Sequence, residues 1–319
     1  MASPPKTYLN LVKASYAEPP DPVFYQFLLP GDSRPHGFIH PSVVAKMPWT
    51  SEFEVSAADV RPRTVRVLDS SSGNDTAAAC STALLGVIQI AAEADIFPSL
   101  SRRDLTETMR IPGAKYPLVR LQRAAAGLFG IARRSAHLIM YTRTPEGQIK
   151  IWVQRRSAHL STYPGKLDST VADGLYADES PFQCIMHEAD DKASLPQSLV
   201  RRQVRSCGAI TYTCTSDVGS GFEAEAMISN ILYVYGMEVD HTVIPKPKNK
   251  KVDEFNLWSV QQIKNALFRG EFKTNCVLVM IDFFIRHGII NDTNEPDYLE
   301  IISRLHRDLP MPISAKQMH

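Results

Sequence analysis

Cysteine is scarce and poorly spaced for chemistry in this chain: Cys80, Cys184, Cys207, Cys214 and Cys276 are an odd set with no C-x-x-C pair. That spacing argues against a zinc site or a disulfide framework and implies reduced, structural thiols. Long apolar runs are also missing. No stretch reaches the ~18 consecutive apolar residues of a spanning helix, and the opening MASPPKTYLN has no charged segment followed by an apolar one. The expectation is a cytoplasmic protein with no membrane partner. Nor is there an excess of either charge: 35 Lys and Arg stand against 34 Asp and Glu, a net of +1. No whole-molecule field therefore favours nucleic acid, and partners must be sought in local sites. Internal repeats and long low-complexity segments are absent as well.

What is present is an ordinary globular composition, 44% hydrophobic and 22% charged over 319 residues, enough for one large or two modest domains. The first part, residues 1–120, carries many turn signals, among them Pro19 to Pro22 and Gly31 to Pro35, around short apolar segments. Within it, Asn74 and Asp75 can cap a helix from Thr76 to about Glu93 that ends before Pro98. Residues 121–319 alternate strands and helices and close with C-terminal helices, as a mixed sheet requires. His137–Thr142 and Lys150–Gln154 flank a Pro145-Glu146-Gly147 turn and predict a hairpin. Further strands are expected at Ala209–Tyr212 and Ile231–Glu238. Pro245 to Lys251 has neither period and predicts an exposed loop.

The stretch Asp173 to Leu195, DGLYADESPFQCIMHEADDKASL, is the most specific. Ser180 suits an N-cap, Pro181 the first helical position, and Gln183 completes a capping box. Phe182, Ile185, Met186 and Ala189 recur at helical spacing and form an apolar stripe, and Pro196 closes the segment. Beside the stripe, Glu188, Asp191 and Lys192 fall at i, i+3 and i+4 and share a face. Two carboxylates so placed can hold Mg2+ together with waters and substrate phosphate oxygens. The plainer reading is a solvated face with a local ion pair.

These residues resemble the Nudix box, G-x5-E-x7-R-E-U-x-E-E-x-G-U. The resemblance extends to Gln154–Ser157, Thr162–Asp168, Glu179–Phe182, Gly270–Asn275, Ile281–Gly288 and Asn294–Arg307, which are similar to the fungal and plant Nudix proteins related to thiamine pyrophosphokinase. Phe24 to Trp49 looks like the accessory domain that precedes Nudix in that subfamily. The resemblance implies an α/β fold, namely a Nudix α/β/α sandwich with a mixed sheet after a smaller α+β accessory domain. It also implies Mg2+-dependent cleavage of a diphosphate, with a substrate related to thiamine diphosphate. Carried over position by position, it makes Glu179, Glu188 and Asp191 the metal ligands and sets Arg156 near the substrate; Lys166 and Lys251 are further candidate substrate-binding cations.

The box is degenerate. His187 stands at its arginine, Asp173 at its first glycine, Asp191 at one late glutamate and Lys192 at the next. A lysine ~4 Å from another unit positive charge is repelled by about 4 kcal/mol at an effective dielectric near 20, and a divalent ion doubles that. Lys251 and Asn230 likewise occupy positions where relatives tend to carry acids. The favoured expectation is a divergent Nudix-fold enzyme repurposed for metal-independent acid/base chemistry, isomerisation, cyclisation or elimination, on a small metabolite. In it Glu188 or Asp191 would be the base and Lys192 or His187 the acid or oxyanion stabiliser, with Lys192 expected to titrate lower than usual. The alternatives are a Mg2+-dependent pyrophosphohydrolase, which needs Lys192 to swing aside, and a non-catalytic binder in which Lys192 and Lys251 neutralise a phosphate. His137 reads as a core or strand-end histidine, and the three tryptophans as core residues. Oligomeric state is not set by these features.

Overall fold

The computed structural model describes residues 7–15, 23–101, 104–216 and 226–314; the turn signal at Pro19 to Pro22 lies outside the described residues. Its elements run α1 (Tyr8–Lys13), β1 (Tyr25–Leu28), β2 (Gly37–Ile39), α2 (Pro41–Lys46), β3 (Phe53–Val55), β4 (Thr64–Val67), α3 (Thr76–Glu93), α4 (Pro98–Ser101), β5 (Thr108–Arg110) and β6 (Arg120–Gln122). They continue with β7 (Arg133–Arg143), β8 (Ile149–Arg156), β9 (Leu167–Asp168), β10 (Val171–Gly174), α5 (Pro181–Ala193), α6 (Gln197–Gln203), β11 (Arg205–Thr215), β12 (Met227–Glu238), β13 (Val252–Ser259), α7 (Val260–Arg269), α8 (Thr274–Arg286) and α9 (Tyr298–Leu305).

Local signals place most of these. The Asp75 carboxylate accepts from Ala78 N at the start of α3, and at α5 the Ser180 and Gln183 side chains each accept from the other's backbone amide. Such caps supply partners to the amides that a helix start leaves over. By length and composition α3 could cross a membrane, yet Cys80, Leu84, Val87, Ile88 and Ala91 are fully enclosed in the first core. The β7–β8 hairpin forms as expected, with Met140 opposite Trp152.

The smaller unit is a four-stranded sheet in the order β2-β1-β4-β3 with a β5–β6 ribbon. The larger is a seven-stranded sheet along β11-β12-β7-β8-β13, with β10 on β7 and β9 on β8. β12 runs parallel to β7 and the other pairings are antiparallel, so the sheet is mixed. Helices α1, α7, α8 and α9 cover one face around Ile139, Val153 and Leu232. Helix α5 and Val200 of α6 cover the other around Leu138, Met140 and Met237. The result is an α/β/α sandwich preceded by a smaller α+β unit.

The cores do not divide at residue 120. That point falls at the first residue of β6, and the first core runs on through Ala124, Phe129 and Ile131. The chain start also departs from the expected partition, because Leu9 and Val12 of α1 are buried in the second core. An amphipathic turn of six residues has no stability of its own and goes where an apolar surface is open. Leu9→Ala is expected to cost about 2–3 kcal/mol, read by urea denaturation with a probe in the larger unit.

Candidate functional site

The site is built where α5 passes over the end of β10. Strand β10 pairs antiparallel with β7, Asp173 opposite Ala136, so the Asp173 side chain rises on the face that α5 covers. In its last turn, α5 sends Lys192 to meet it. Lys192 Nζ lies 2.8 Å from Asp173 Oδ2 and donates to the Ala172 carbonyl at 2.6 Å. Glu188 Oε2 faces the same ammonium at 3.0 Å as an ion pair, without hydrogen-bond geometry. Lys192 is 5% exposed and Glu188 2%.

Charge then decides protonation. Burial pushes the Lys192 ammonium towards release of its proton, but the Asp173 and Glu188 carboxylates outweigh that and raise its pKa above the ordinary lysine value. The expectation of a lysine that titrates low is therefore overturned: with two carboxylates and a carbonyl around it, Lys192 remains a fixed cation. At Asp173, burial is outweighed by Lys192 and Arg123, which hold its carboxyl far below the usual range. At Glu188, burial dominates and raises the pKa despite Lys192.

Arg123 arrives from the smaller unit. Its Nη2 is 3.4 Å from Asp173 Oδ1, its Nη1 is 3.1 Å from Glu107 Oε2, and its guanidinium lies over the Tyr176 ring at 4.9 Å. Gly174 makes room for it, since a Cβ there would stand 2.5 Å from Arg123 Nη2. Asp173 is thus clamped between a cation of each unit.

The remaining expected ligands are engaged elsewhere. Glu179 accepts from Tyr176 N at 3.3 Å and steadies the turn before α5. Asp191 accepts from Asn249 Nδ2 at 2.7 Å and Asp190 pairs with Lys248 at 2.8 Å. The Pro245 to Lys251 loop, expected to be simply exposed, is therefore tied to the end of α5. His187 points outward, with its side chain 62% exposed and its Nδ1 3.6 Å from Glu188 Oε1. Glu179, Glu188 and Asp191 do not converge as a donor set, and a lysine already neutralises Glu188. These residues do not fit Mg2+.

Asp173 and Lys192 open onto a cleft of about 460 Å3 that also touches Glu107, Met109 and Arg123 of the smaller unit. Its lining carries Arg123, Arg133, Arg134, Arg156, Lys192, Lys251 and Lys273 against Asp104, Glu107 and Asp173, seven cations to three acids. Arg156 is there, but its fork is occupied: it holds Asp168 at 3.1 Å and the Tyr163 and Thr162 carbonyls at 3.1 and 2.7 Å. Lys251 reaches the cleft, with its amide fixed by Asn249 Oδ1 at 2.8 Å. Lys166 does not; its Nζ donates to the Gly270 carbonyl at 2.7 Å. His137 sits at the cleft floor, 1% exposed, and burial lowers its pKa to about 3, so the ring is neutral. Behind it, among the described residues, His137, Asp168 and Cys276 bring their ligand atoms within 4.8 Å of one another. Arg156 and Lys273 both stand on Asp168 there, at 3.1 and 3.6 Å, and oppose a metal.

Sequence reasoning missed Asp173 and Arg123 as site residues. The signal for Asp173 was available: an acid has replaced a glycine in the same box in which a lysine has replaced a glutamate. Arg123 gave none, because its partner lies fifty residues away.

No family model matches the chain. It is 37% identical over 203 residues to an uncharacterized protein of Saccharomyces cerevisiae, covering 62% of this chain and 59% of that protein. It is 32% identical over 186 residues to the chloroplastic Nudix hydrolase 24 of Arabidopsis thaliana, 58% of this chain and 48% of that one. Nudix hydrolase 20, chloroplastic, from the same plant is 31% identical over 225 residues, 70% of this chain and 57% of its own length. The chain spans about half the length of the curated relatives it matches. A solved structure from Deinococcus radiodurans matches 63% of this chain and 100% of its own at 15% identity, with a TM-score of 0.39. The similarity in sequence is thus to Nudix hydrolases.

Removing the ammonium tests the ion cluster. Lys192→Met leaves Glu188 buried without a cation and Asp173 with Arg123 alone, and is expected to cost about 3–5 kcal/mol at neutral pH. In the wild type, the depressed pKa of Asp173 gives stability that is present above the unfolded value near 4 and lost as pH falls below it. The variant lacks most of that term, so the gap between the two proteins should narrow as pH falls below about 4 in urea titrations.

Proposed function

We propose that this chain is a Nudix-superfamily enzyme that takes a small anionic metabolite, diphosphate-bearing compounds included, in the cleft between its two units and acts on it without a divalent ion. The observation that carries this reading is the Lys192 ammonium, set 2.8 Å from Asp173 and 3.0 Å from Glu188. There a side-chain cation supplies the charge that a metal would bring. Similarity to two Nudix hydrolases supports the superfamily, and the excess of cations in the lining supports an anionic ligand.

Roles follow from position. Lys251 and Arg134 of the lining neutralise the ligand's anionic group, and charge that develops during an elimination or isomerisation is stabilised by these fixed cations. Lys192 orients Asp173 and does not donate a proton. Of the two inferred bases, Asp191 is turned to Asn249 and Glu188 lies behind Lys192, which leaves Asp173 as the acid facing both cleft and cluster. Nucleic acid and membrane are not proposed as partners, and the cytoplasm is the proposed compartment.

A second reading, a binder without turnover, has one observation in its favour. Lys192, Asp173 and His137 are all shifted away from neutrality, whereas general acid–base catalysis works best with a pKa near the working pH.

Both readings predict that Mg2+ leaves the melting temperature of the wild type unchanged and that chelators do not alter binding of pyrophosphate. Lys192→Glu should reverse this: three crowded carboxylates would lower the melting temperature, and Mg2+ would restore it. Mg2+-dependent release of phosphate from organic diphosphates by the wild type, abolished in Glu188→Gln, would sink both. Metal-independent turnover separates the enzyme from the binder.

A further inference from the structure

Asp191 stands at a late glutamate of the box, yet its Oδ2 accepts from Asn249 Nδ2 at 2.7 Å. The same amide has a second bond, in which Asn249 Oδ1 accepts from Lys251 N at 2.8 Å. A side-chain oxygen that accepts from the main-chain amide two residues on makes an Asx turn, which bends the chain locally. Together the two bonds lock the Asn249 side chain. An ionised carboxylate can only accept and a main-chain N–H can only donate, so the amide nitrogen must face Asp191 and the oxygen Lys251.

Lys251 is the residue before β13, and its main chain is held on both sides. Asn249 fixes its amide, and its carbonyl accepts from Ser157 N at 3.0 Å, just past the end of β8. That sets where the side chain leaves the backbone, and the side chain lines the cleft. Its charge reaches the ion cluster: burial raises the pKa of both Asp173 and Glu188, Lys192 is the strongest opposing influence, and Lys251 acts in the same direction as Lys192.

The rest of the loop is tied to the same end of α5. Lys246 N donates to the Ala193 carbonyl at 2.9 Å and Lys248 N to the Lys192 carbonyl at 3.3 Å, which supplies partners to carbonyls that a helix end leaves over. Ser194 Oγ donates to the Lys246 carbonyl at 3.0 Å, and Lys248 Nζ pairs with Asp190 at 2.8 Å. Of these ties, the bond from Asn249 to Asp191 is the one that continues through a side chain to Lys251.

We propose that Asp191 is a positioning residue, which through Asn249 holds Lys251 where its ammonium faces the cleft and so sets how tightly the cleft grips an anion. The proposal rests on the anion-binding reading above and adds to it the residue that controls the strength of the grip. A position that the resemblance makes a metal ligand serves here to place a side-chain cation. The sign of the effect separates this role from that of a bare charge. A carboxylate near an anion site repels the anion, so its removal would tighten binding. An anchor that is removed leaves Lys251 to be ordered by the anion itself, and binding weakens.

The test is isothermal titration of the full chain with inorganic pyrophosphate, with melting temperatures to confirm that each variant is folded. Asp191→Ala and Asn249→Ala should each weaken binding by about three- to tenfold, the scale set by ordering one long side chain. The double variant should be no weaker than the worse single one, because both residues act through one link. Lys251→Met should weaken binding at least as much, and Asp191→Ala added to it should change nothing further. Asp191→Asn should bind pyrophosphate at least as tightly as the wild type, since its amide oxygen still accepts from Asn249. Unchanged or tighter binding in Asp191→Ala, or unchanged binding in Asn249→Ala, would overturn the positioning role and leave Asp191 as a loop anchor, with anion binding intact. Where Asp191→Ala does not fold, Asn249→Ala decides alone, because it breaks the link and changes no charge. Failure of pyrophosphate to bind the wild type would overturn the anion-binding reading and this proposal together.

Discussion

The ion cluster of Lys192, Asp173 and Glu188 is the constraint around which the rest of the site is arranged. Each contact near 3 Å is worth about 5 kcal/mol of Coulomb attraction at an effective dielectric near 20, and the desolvation of three charges consumes much of it. The cluster therefore contributes less to stability than to specification. It sets where α5 can sit on β10, because a shift of one residue would leave a carboxylate buried alone. On a solvated helix face the Glu188–Lys192 pair would be worth a few tenths of a kcal/mol. Beneath the covering chain it becomes a condition of the fold.

The same cluster explains why the smaller unit matters to the larger. Asp173 carries two oxygens, one taken by Lys192 and the other approached by Arg123 from outside the sandwich. Arg123 also pairs with Glu107 and stacks on Tyr176, and it needs the missing side chain at Gly174 to do so. The wall of the cleft is thus completed by a residue from the first core. The site depends on both cores, although most of its polar side chains come from one sheet.

Charge accounting separates what is spent from what is offered. Arg156 and Lys273 are committed to Asp168, and Lys192 and Arg123 to Asp173. Arg134 and Lys251 remain for a ligand, in a cleft that the neutral Asn230 and Gln154 also line. A cavity that retained carboxylates for a metal would show the opposite balance, with anions waiting for a cation.

Much of the fold was legible in the sequence because its signals are local. The capping box of Ser180 and Gln183, the Asp75 cap, the apolar stripe of Phe182, Ile185, Met186 and Ala189 and the β7–β8 hairpin rest on contacts within a few residues. The candidate site was legible only in part. The shared face of Glu188 and Lys192 follows from helical spacing, but Asp191 and His187 lie on its margins, where the docking angle of α5 decides what enters the cleft. Lys166 is turned away by the course of its loop. What the sequence by itself determined is the order of helices and strands and the presence of a lysine at a position that resembles a metal ligand. Only the tertiary structure decided what that lysine does, because the partner that fixes its charge, Asp173, is nineteen residues away, and the neighbouring carboxylates keep it protonated against the effect of burial.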